Sequence, residues 1–292
     1  MKYAIYNKVR LSLTLSLGLT LSLGLGLTLS LLLSSCSNIS EDERLIYVKP
    51  APVNRSVLIE DFTGQRCVNC PNATDEIHRL QEQYGEDAVI AVGIHSGPFG
   101  HRTTMSSPLL PLATETGDYY YNHWGVEQQP CAMINRNGKL LYAVTEYAVE
   151  VRKVLAEVSP LELSVVNVSI NEGKADVLIK CLSLTDAAIE GKIQVWLVED
   201  NIVNTQYMPD GSIDREYLHQ HVFRTSLTTD LMGDAYHIAP GEVKNSNFSV
   251  ELDESWVKEN IRVVAFVYND SDGVIQVVSS PLIQIIDNED LN

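Results

Sequence analysis

The sequence predicts an α/β half followed by an all-β half, the latter an antiparallel sandwich. Three observations predict it. An apolar, β-leaning run, Ser56–Phe62, leads into Cys67-Val68-Asn69-Cys70-Pro71, and Ile77, Leu80 and Tyr84 then recur at helical spacing. Ala88–His95 (AVIAVGIH) is continuously apolar, the mark of a strand buried on both faces of a parallel sheet. Beyond Pro160 the helical patterns give way to short alternating runs separated by turn residues.

Residues 1–35 read as a processing signal. Lys2, Lys8 and Arg10 make a basic start, and a Leu/Ser/Gly/Thr run follows from Leu11 to Leu33, long enough to span a bilayer. It ends at Leu33-Ser34-Ser35-Cys36, which resembles a bacterial lipobox. That likeness implies cleavage before Cys36 and acylation of its sulfur, with palmitate among the chains attached; the other reading is an uncleaved anchor with a chance cysteine. Either way the rest of the chain is exported. Residues 36–54 then form a lipidated tether, and the acidic stretch within Ser37–Arg44 resembles the surface-export signals of Bacteroidetes lipoproteins.

Cleavage leaves 257 residues, enough for two ordinary domains, and takes three basic and no acidic residues with it, moving the formal charge from −17 to −20. So acidic a surface excludes nucleic acid and electrostatic docking on anionic headgroups as partners. The membrane is reached through the lipid on Cys36 instead. Five cysteines are too few for a disulfide scaffold in a chain of this length. Cys131 and Cys181 each stand alone, and no second CxxC or HxxxH accompanies Cys67 and Cys70 to complete a zinc site.

The first domain, residues 55–159, reads strand, CxxC, helix, strand, insertion, strand, strand, helix. A thiol at the positive end of a helix dipole has a lowered pKa and is nucleophilic near neutral pH. Pro108–Trp124 mixes loop and helix. Ala132–Asn135 and Lys139–Ala143 flank Arg136-Asn137-Gly138, where Asn-Gly marks a tight hairpin. Tyr147–Val158 closes the domain as an amphipathic helix with Val151, Val154, Leu155 and Val158 on one face.

This order resembles the thioredoxin superfamily through three motifs. These are Cys67-Val68-Asn69-Cys70, the Asp61-Phe62 pair six and five residues before the first cysteine, and Gly125-Val126-Glu127-Gln128-Gln129-Pro130 ahead of the hairpin. The resemblance implies a thioredoxin-like domain in which Cys67 attacks a substrate disulfide and Cys70 resolves it, the two forming a Cys67–Cys70 disulfide when oxidised. It implies that Asp61 exchanges a proton with Cys70, and that Pro130, in cis, presents the backbone of Gln129 to an extended substrate. Glu60 points to the other side of the strand and is the weaker relay candidate.

Departures from the pattern add substrate-lining candidates. Arg66 stands where thioredoxins place tryptophan; it either depresses the Cys67 pKa or is a solvated side chain. Cys131 follows the proline, as a third thiol or as a buried, inert one. His95 and His101 bracket an inserted loop at a strand end, and either line the site or have no role there. The CxxC itself is open to several readings: a redox-active pair, a static disulfide on an inherited fold, a metal ligand pair, or no role.

Residues 160–292 make the sandwich domain, with strand-like runs at Leu161–Ile170, Ala175–Leu182, Ile193–Val198, Tyr217–Leu227, Phe248–Leu252, Ile261–Tyr268 and Val274–Ser280. Asp200–Glu216, carrying Pro209-Asp210-Gly211, reads as an exposed loop. His219 and His221 fall on one face of a strand, a spacing that metal sites use, but no third ligand can be placed beyond His237 as a candidate. They are either that or a structural or surface pair, and no metal is assigned.

With Tyr217–Arg224 and the run from Trp256 through Val267, the chain from about Ser56 to Ile286 resembles the 28-kilodalton outer-membrane protein family of Bacteroidetes. The resemblance implies a lipoprotein with a thioredoxin-like half and an immunoglobulin-like half, located in the cell envelope at the outer membrane, on its periplasmic side or exposed at the surface. It names no substrate. Two functions follow as expectations: thiol–disulfide exchange with exported protein thiols or disulfides, needing no cofactor, or non-enzymatic surface binding in which the sandwich recognises a protein or glycan and the CxxC is static. Whether the chain is an enzyme stays open.

Overall fold

Turn chemistry and strand propensity divide the chain into short elements, and hydrogen bonding gathers most of its strands into one sheet. The structure is a computed structural model that describes residues 51–102 and 110–283. The signal segment, Cys36 and most of the tether lie outside the described residues. In chain order the first half holds β1 (Val53–Asn54), β2 (Val57–Thr63), α1 (Cys70–Tyr84), β3 (Val89–His95), α2 (Glu115–His123), β4 (Cys131–Ile134), β5 (Leu140–Leu141) and α3 (Tyr147–Leu155). The second half holds β6 (Val158–Ser159), β7 (Leu161–Asn171), β8 (Lys174–Ser183), β9 (Ile189–Glu199), β10 (Ile202–Tyr207) and β11 (Ile213–His219). It continues with β12 (Val222–Ser226), β13 (Asp234–Ile238), β14 (Val243–Glu251), β15 (Ile261–Asn269) and β16 (Gly273–Pro281). Strand outweighs helix, and most pairings are antiparallel.

Local causes of the helices are legible. Pro71 sits in the first turn of α1, where its missing N–H costs nothing, and Gly85 ends the helix at φ 95°. Thr114 caps α2 by accepting the Gly117 N–H at 2.9 Å, with Glu115 and Asp118 in the first turn and His123 in the last, as the helix dipole favours.

The main sheet has nine strands in the order β16-β15-β9-β12-β3-β2-β4-β5, with β13 also paired to β9. Among the described residues only β2–β3 and β3–β12 run parallel. The β3–β12 join is brief: Val222 faces Gly93, and the Gly93 N–H donates to the His221 carbonyl at 2.8 Å. One face of the sheet carries a continuous core from Leu58, Val92 and Ile94 across to Trp196, Phe223 and Phe266, covered by Tyr120 of α2. The other face is shared. At one end α1 and α3 pack on Val57, Ile59, Val89 and Ala91; at the other the three-stranded sheet β14-β8-β7 packs on Val195, Leu197, Val263 and Ala265.

The domain boundary expected between residues 159 and 160 therefore does not divide the fold. The described residues of both halves belong to one compact unit and share a sheet. Local pattern reports what kind of element each segment forms; it carries no record of which distant strand becomes its partner. A buried ion pair crosses the expected boundary. Arg136, on the β4–β5 turn, donates to Glu60 of β2 at 2.9 and 3.0 Å and to Gln194 of β9 at 2.8 Å, and its guanidinium lies 4.4 Å from the ring centre of Tyr268 on β15. Gly273 makes the same crossing possible: it has φ 65°, and a Cβ there would lie 2.1 Å from the Asn135 carbonyl.

Two further expectations change. Asp200–Glu216 is not an exposed loop, because β10 and β11 pair across a turn at Met208–Ser212 into a hairpin. Tyr217–Leu227 is not one strand, because His221 takes φ 55° and breaks it into β11 and β12.

Candidate functional site

The site begins where β2 ends. Gly64 allows the chain to turn beneath the loop after β3; a Cβ on it would lie 2.4 Å from the Phe99 carbonyl carbon. The Cys67 N–H then donates to the Gly64 carbonyl at 3.0 Å, and α1 starts at Cys70. Cys67 and Cys70 form a disulfide with their Cα atoms 5.4 Å apart. Both are buried, Cys67 with 3% and Cys70 with 1% of its surface exposed. The cover comes from the β10–β11 hairpin. Gln206 donates to the Cys67 carbonyl at 2.9 Å, and the Tyr207 N–H donates to the Gln65 carbonyl at 2.9 Å.

Beneath the disulfide lies Asp61, on the α1 side of β2. Burial without a neutralising partner pushes its carboxyl up to about 7, and Oδ1 has no hydrogen-bond partner. Asp61 and Cys70 line one small cavity of roughly 30 Å³ together with Thr74, His95, Tyr217 and His219. The His95 and His219 rings meet edge to face at 5.2 Å. Burial lowers both imidazoles, His95 well below its usual range and His219 to about 4, so both are neutral around pH 7.

The remaining candidates fall around this centre. Arg66 is exposed and within 3.1 Å of Nδ1 of His101, itself buried. The Gln129–Pro130 bond is cis, and the Gln129 side chain donates to the Thr63 carbonyl at 2.7 Å and the Ser96 carbonyl at 3.1 Å, tying the proline loop to the ends of β2 and β3. Cys131 is a fully buried free thiol whose pKa burial, with a smaller push from Asp61, raises to about 12. Chemically that is the inert of its two readings. Cys181 is likewise a free, buried thiol.

His219 and His221 do not share a strand face. The left-handed backbone at His221 separates them: His219 turns toward His95 and Tyr217, while His221 pairs with Asp200 at 2.9 Å and lies 3.3 Å from Gln81 of α1. Among the described residues no group of three or more His, Cys, Asp or Glu side chains is placed to hold a metal ion. Gln206 escapes the sequence reading because its segment reads as loop, and Tyr217 because its strand-like run carries no sign of where it packs. The signal was there: Ile202–Tyr207 is a β-rich run ahead of Pro209-Asp210-Gly211, a hairpin pattern.

Comparison with known proteins adds the family. Comparison with curated proteins finds no match. Among solved structures the chain is similar to HBP35 of Porphyromonas gingivalis, at 19% identity and a TM-score of 0.61, covering 81% of each chain. A domain of the outer membrane lipoprotein Omp28 from the same organism also matches, at 21% identity and a TM-score of 0.32, covering 42% of this chain and 88% of that one. The model of the family "Outer membrane protein Omp28" matches residues 117–284, more than half of the chain. With its fold shared with HBP35 and its sequence matched over that span, the chain belongs to the outer-membrane Omp28 family.

Proposed function

We propose that this outer-membrane protein is a lipoprotein whose thioredoxin-like half exchanges the Cys67–Cys70 disulfide with thiols and disulfides of exported proteins. The observation that carries the reading is Asp61, a buried acid with an unpartnered oxygen and a carboxyl pushed up to about 7, on the same small cavity as Cys70. A substrate thiolate attacks Sγ of Cys67, the S–S bond breaks, and Cys70 leaves as a thiolate. The Asp61 carboxyl gives that thiolate its proton and becomes a carboxylate. In the reverse direction the carboxylate takes the proton back as Cys70 attacks the mixed disulfide. Cis-Pro130 and Gln129 would border the groove for an extended substrate.

Turnover of a model disulfide by the full chain tests this. Cys67→Ser is expected to abolish it and Cys70→Ser to trap a mixed disulfide at Cys67. A reduced wild-type protein that reacts no faster than an ordinary peptide thiol sinks the reading. The burial of Cys67 beneath Gln206 favours a second reading, a static disulfide in a surface-binding lipoprotein that recognises a protein or glycan. In that case the Cys67→Ser, Cys70→Ser double variant keeps the phenotype. The lipid anchor is tested separately: Cys36→Ser should lose labelling by a fatty-acid analogue.

A further inference from the structure

The β10–β11 hairpin does more than cover the disulfide. It brings His219 onto the cavity shared by Asp61 and Cys70, and three buried polar atoms around that cavity lack a partner: Asp61 Oδ1, His95 Nδ1 and His219 Nε2. Each belongs to a side chain on a residue only 4% exposed. Buried polar groups are rarely left unpaired, and about 10–15 Å³ is room for one water, so this cavity of roughly 30 Å³ has room for one or two.

The tautomer of His219 follows from its other bond. Nε2 is the unpartnered nitrogen, and the Thr205 backbone favours the charged ring, as a carbonyl accepting from Nδ1 would. A neutral imidazole protonated at Nδ1 offers a bare lone pair at Nε2. We infer that His219 is a positioning residue for the proton exchanged between Asp61 and Cys70, acting through water held between them. The inference rests on the thiol–disulfide reading above. When Cys70 leaves and takes the Asp61 proton, the cavity water donates one hydrogen to the new carboxylate and the other to Nε2. His219 comes from the second half of the chain and His95 from the first, so both halves contribute to the proton site.

The groups acting on this pair come from every neighbouring element. Cys70 belongs to α1, His95 to β3, Cys131 to β4, Tyr147 to α3, and Asp214 and Tyr217 to β11; Arg224 of β12 disfavours charge on His95. Thr74, Tyr217 and His95 also bring polar atoms to this cavity, so Nε2 acts alongside them. Removing that acceptor weakens the hold on the water and makes the Asp61 carboxylate harder to form.

The test reads the Asp61 carboxyl by carbon NMR titration of the full, oxidised protein, where no exchange reaction is needed. His219→Leu should raise its midpoint by at least one pH unit, a tenfold weaker acid, and His219→Gln, whose amide oxygen still accepts, should restore most of the wild-type value. An unmoved midpoint in a folded Leu variant, or a Gln variant that matches Leu, overturns the proposal. Nitrogen NMR of the wild-type His219 ring decides without any variant: a proton on Nδ1 supports the inference and a proton on Nε2 overturns it. Parallel rates of reduction by dithiothreitol test the exchange reading itself, so failure of that reading is seen separately from failure of the His219 assignment.

Discussion

Glu60 and Asp61 are adjacent in β2, both buried, and they meet opposite fates because the strand turns them to opposite faces. Glu60 faces the continuous core, where Arg136 grips both carboxylate oxygens and Gln194 and the Tyr268 ring hold the guanidinium in turn. Asp61 faces α1, where none of the described residues sets a cation against it, and burial raises its carboxyl to about 7. Equal burial thus gives a paired ion on one face and a carboxyl near its midpoint at neutral pH on the other. The first arrangement holds the two halves of the sheet together. The second leaves a group able to take and give a proton.

The largest effect should come from breaking the paired side. Arg136→Met leaves Glu60 buried without a cation and is expected to cost about 3–5 kcal/mol, read from the urea midpoint of the full chain. A Glu60→Leu, Arg136→Met double variant should recover much of that loss. A single variant as stable as wild type would erase the contrast between the two acids.

Next is the unpaired side, where pH gives the sign. Asp61 has a folded pKa near 7 against 3.8 for the free group, so the folded state holds a proton that the unfolded state has lost throughout that window. Its contribution to stability is full below pH 3.8, falls as pH rises toward about 7, and is gone above it. Asp61→Asn should therefore match wild type near pH 4 and gain on it up to about pH 8, by as much as about 4 kcal/mol. Urea midpoints across that range check it; a gap that is constant with pH would mean Asp61 is ionised throughout.

A smaller effect is expected at the cover. Gln206→Ala removes the hydrogen bond to the Cys67 carbonyl, worth about 1 kcal/mol net, so reduction of the disulfide by dithiothreitol should quicken about fivefold. An unchanged rate would mean that reduction does not wait for the hairpin to open. Smallest of all is Cys131→Ala, which should leave the reduction rate within about twofold, because a fully buried thiol raised to about 12 takes no part in exchange.

The sequence carried the local elements well and the partnerships poorly. The strand before Cys67, the helix opened by Cys70 and Pro71, and the apolar run ending at His95 each announce themselves within a window of a few residues. Asp61 was legible too, through its distance from Cys67. What sequence could not carry were contacts across large separations: Gln206 on Cys67, His219 beside Asp61, Arg136 between Glu60 and Gln194. The hairpin was misread for another reason. The polar residues Asn204, Thr205 and Gln206 read as solvated, yet all three are buried: Asn204 donates to the Leu110 carbonyl and accepts from the Thr205 N–H, and Gln206 donates to the Cys67 carbonyl. Buried amides and exposed amides look alike in a sequence.

The brief parallel pairing of β3 with β12 also sets an order of events. Gly93 meets its strand partner Val222 only after roughly 130 further residues have left the ribosome. Until then β3 is a hydrogen-bonding edge beside an uncovered apolar surface, since Trp196, Phe223 and Phe266 have yet to arrive. An N-terminal fragment ending near Pro160 would be left with that edge permanently open. For a chain made from one end to the other, such topology means slow, late closure and a long period of exposure to aggregation. The disulfide motif, finished early in synthesis, then stays uncovered until the hairpin folds over it.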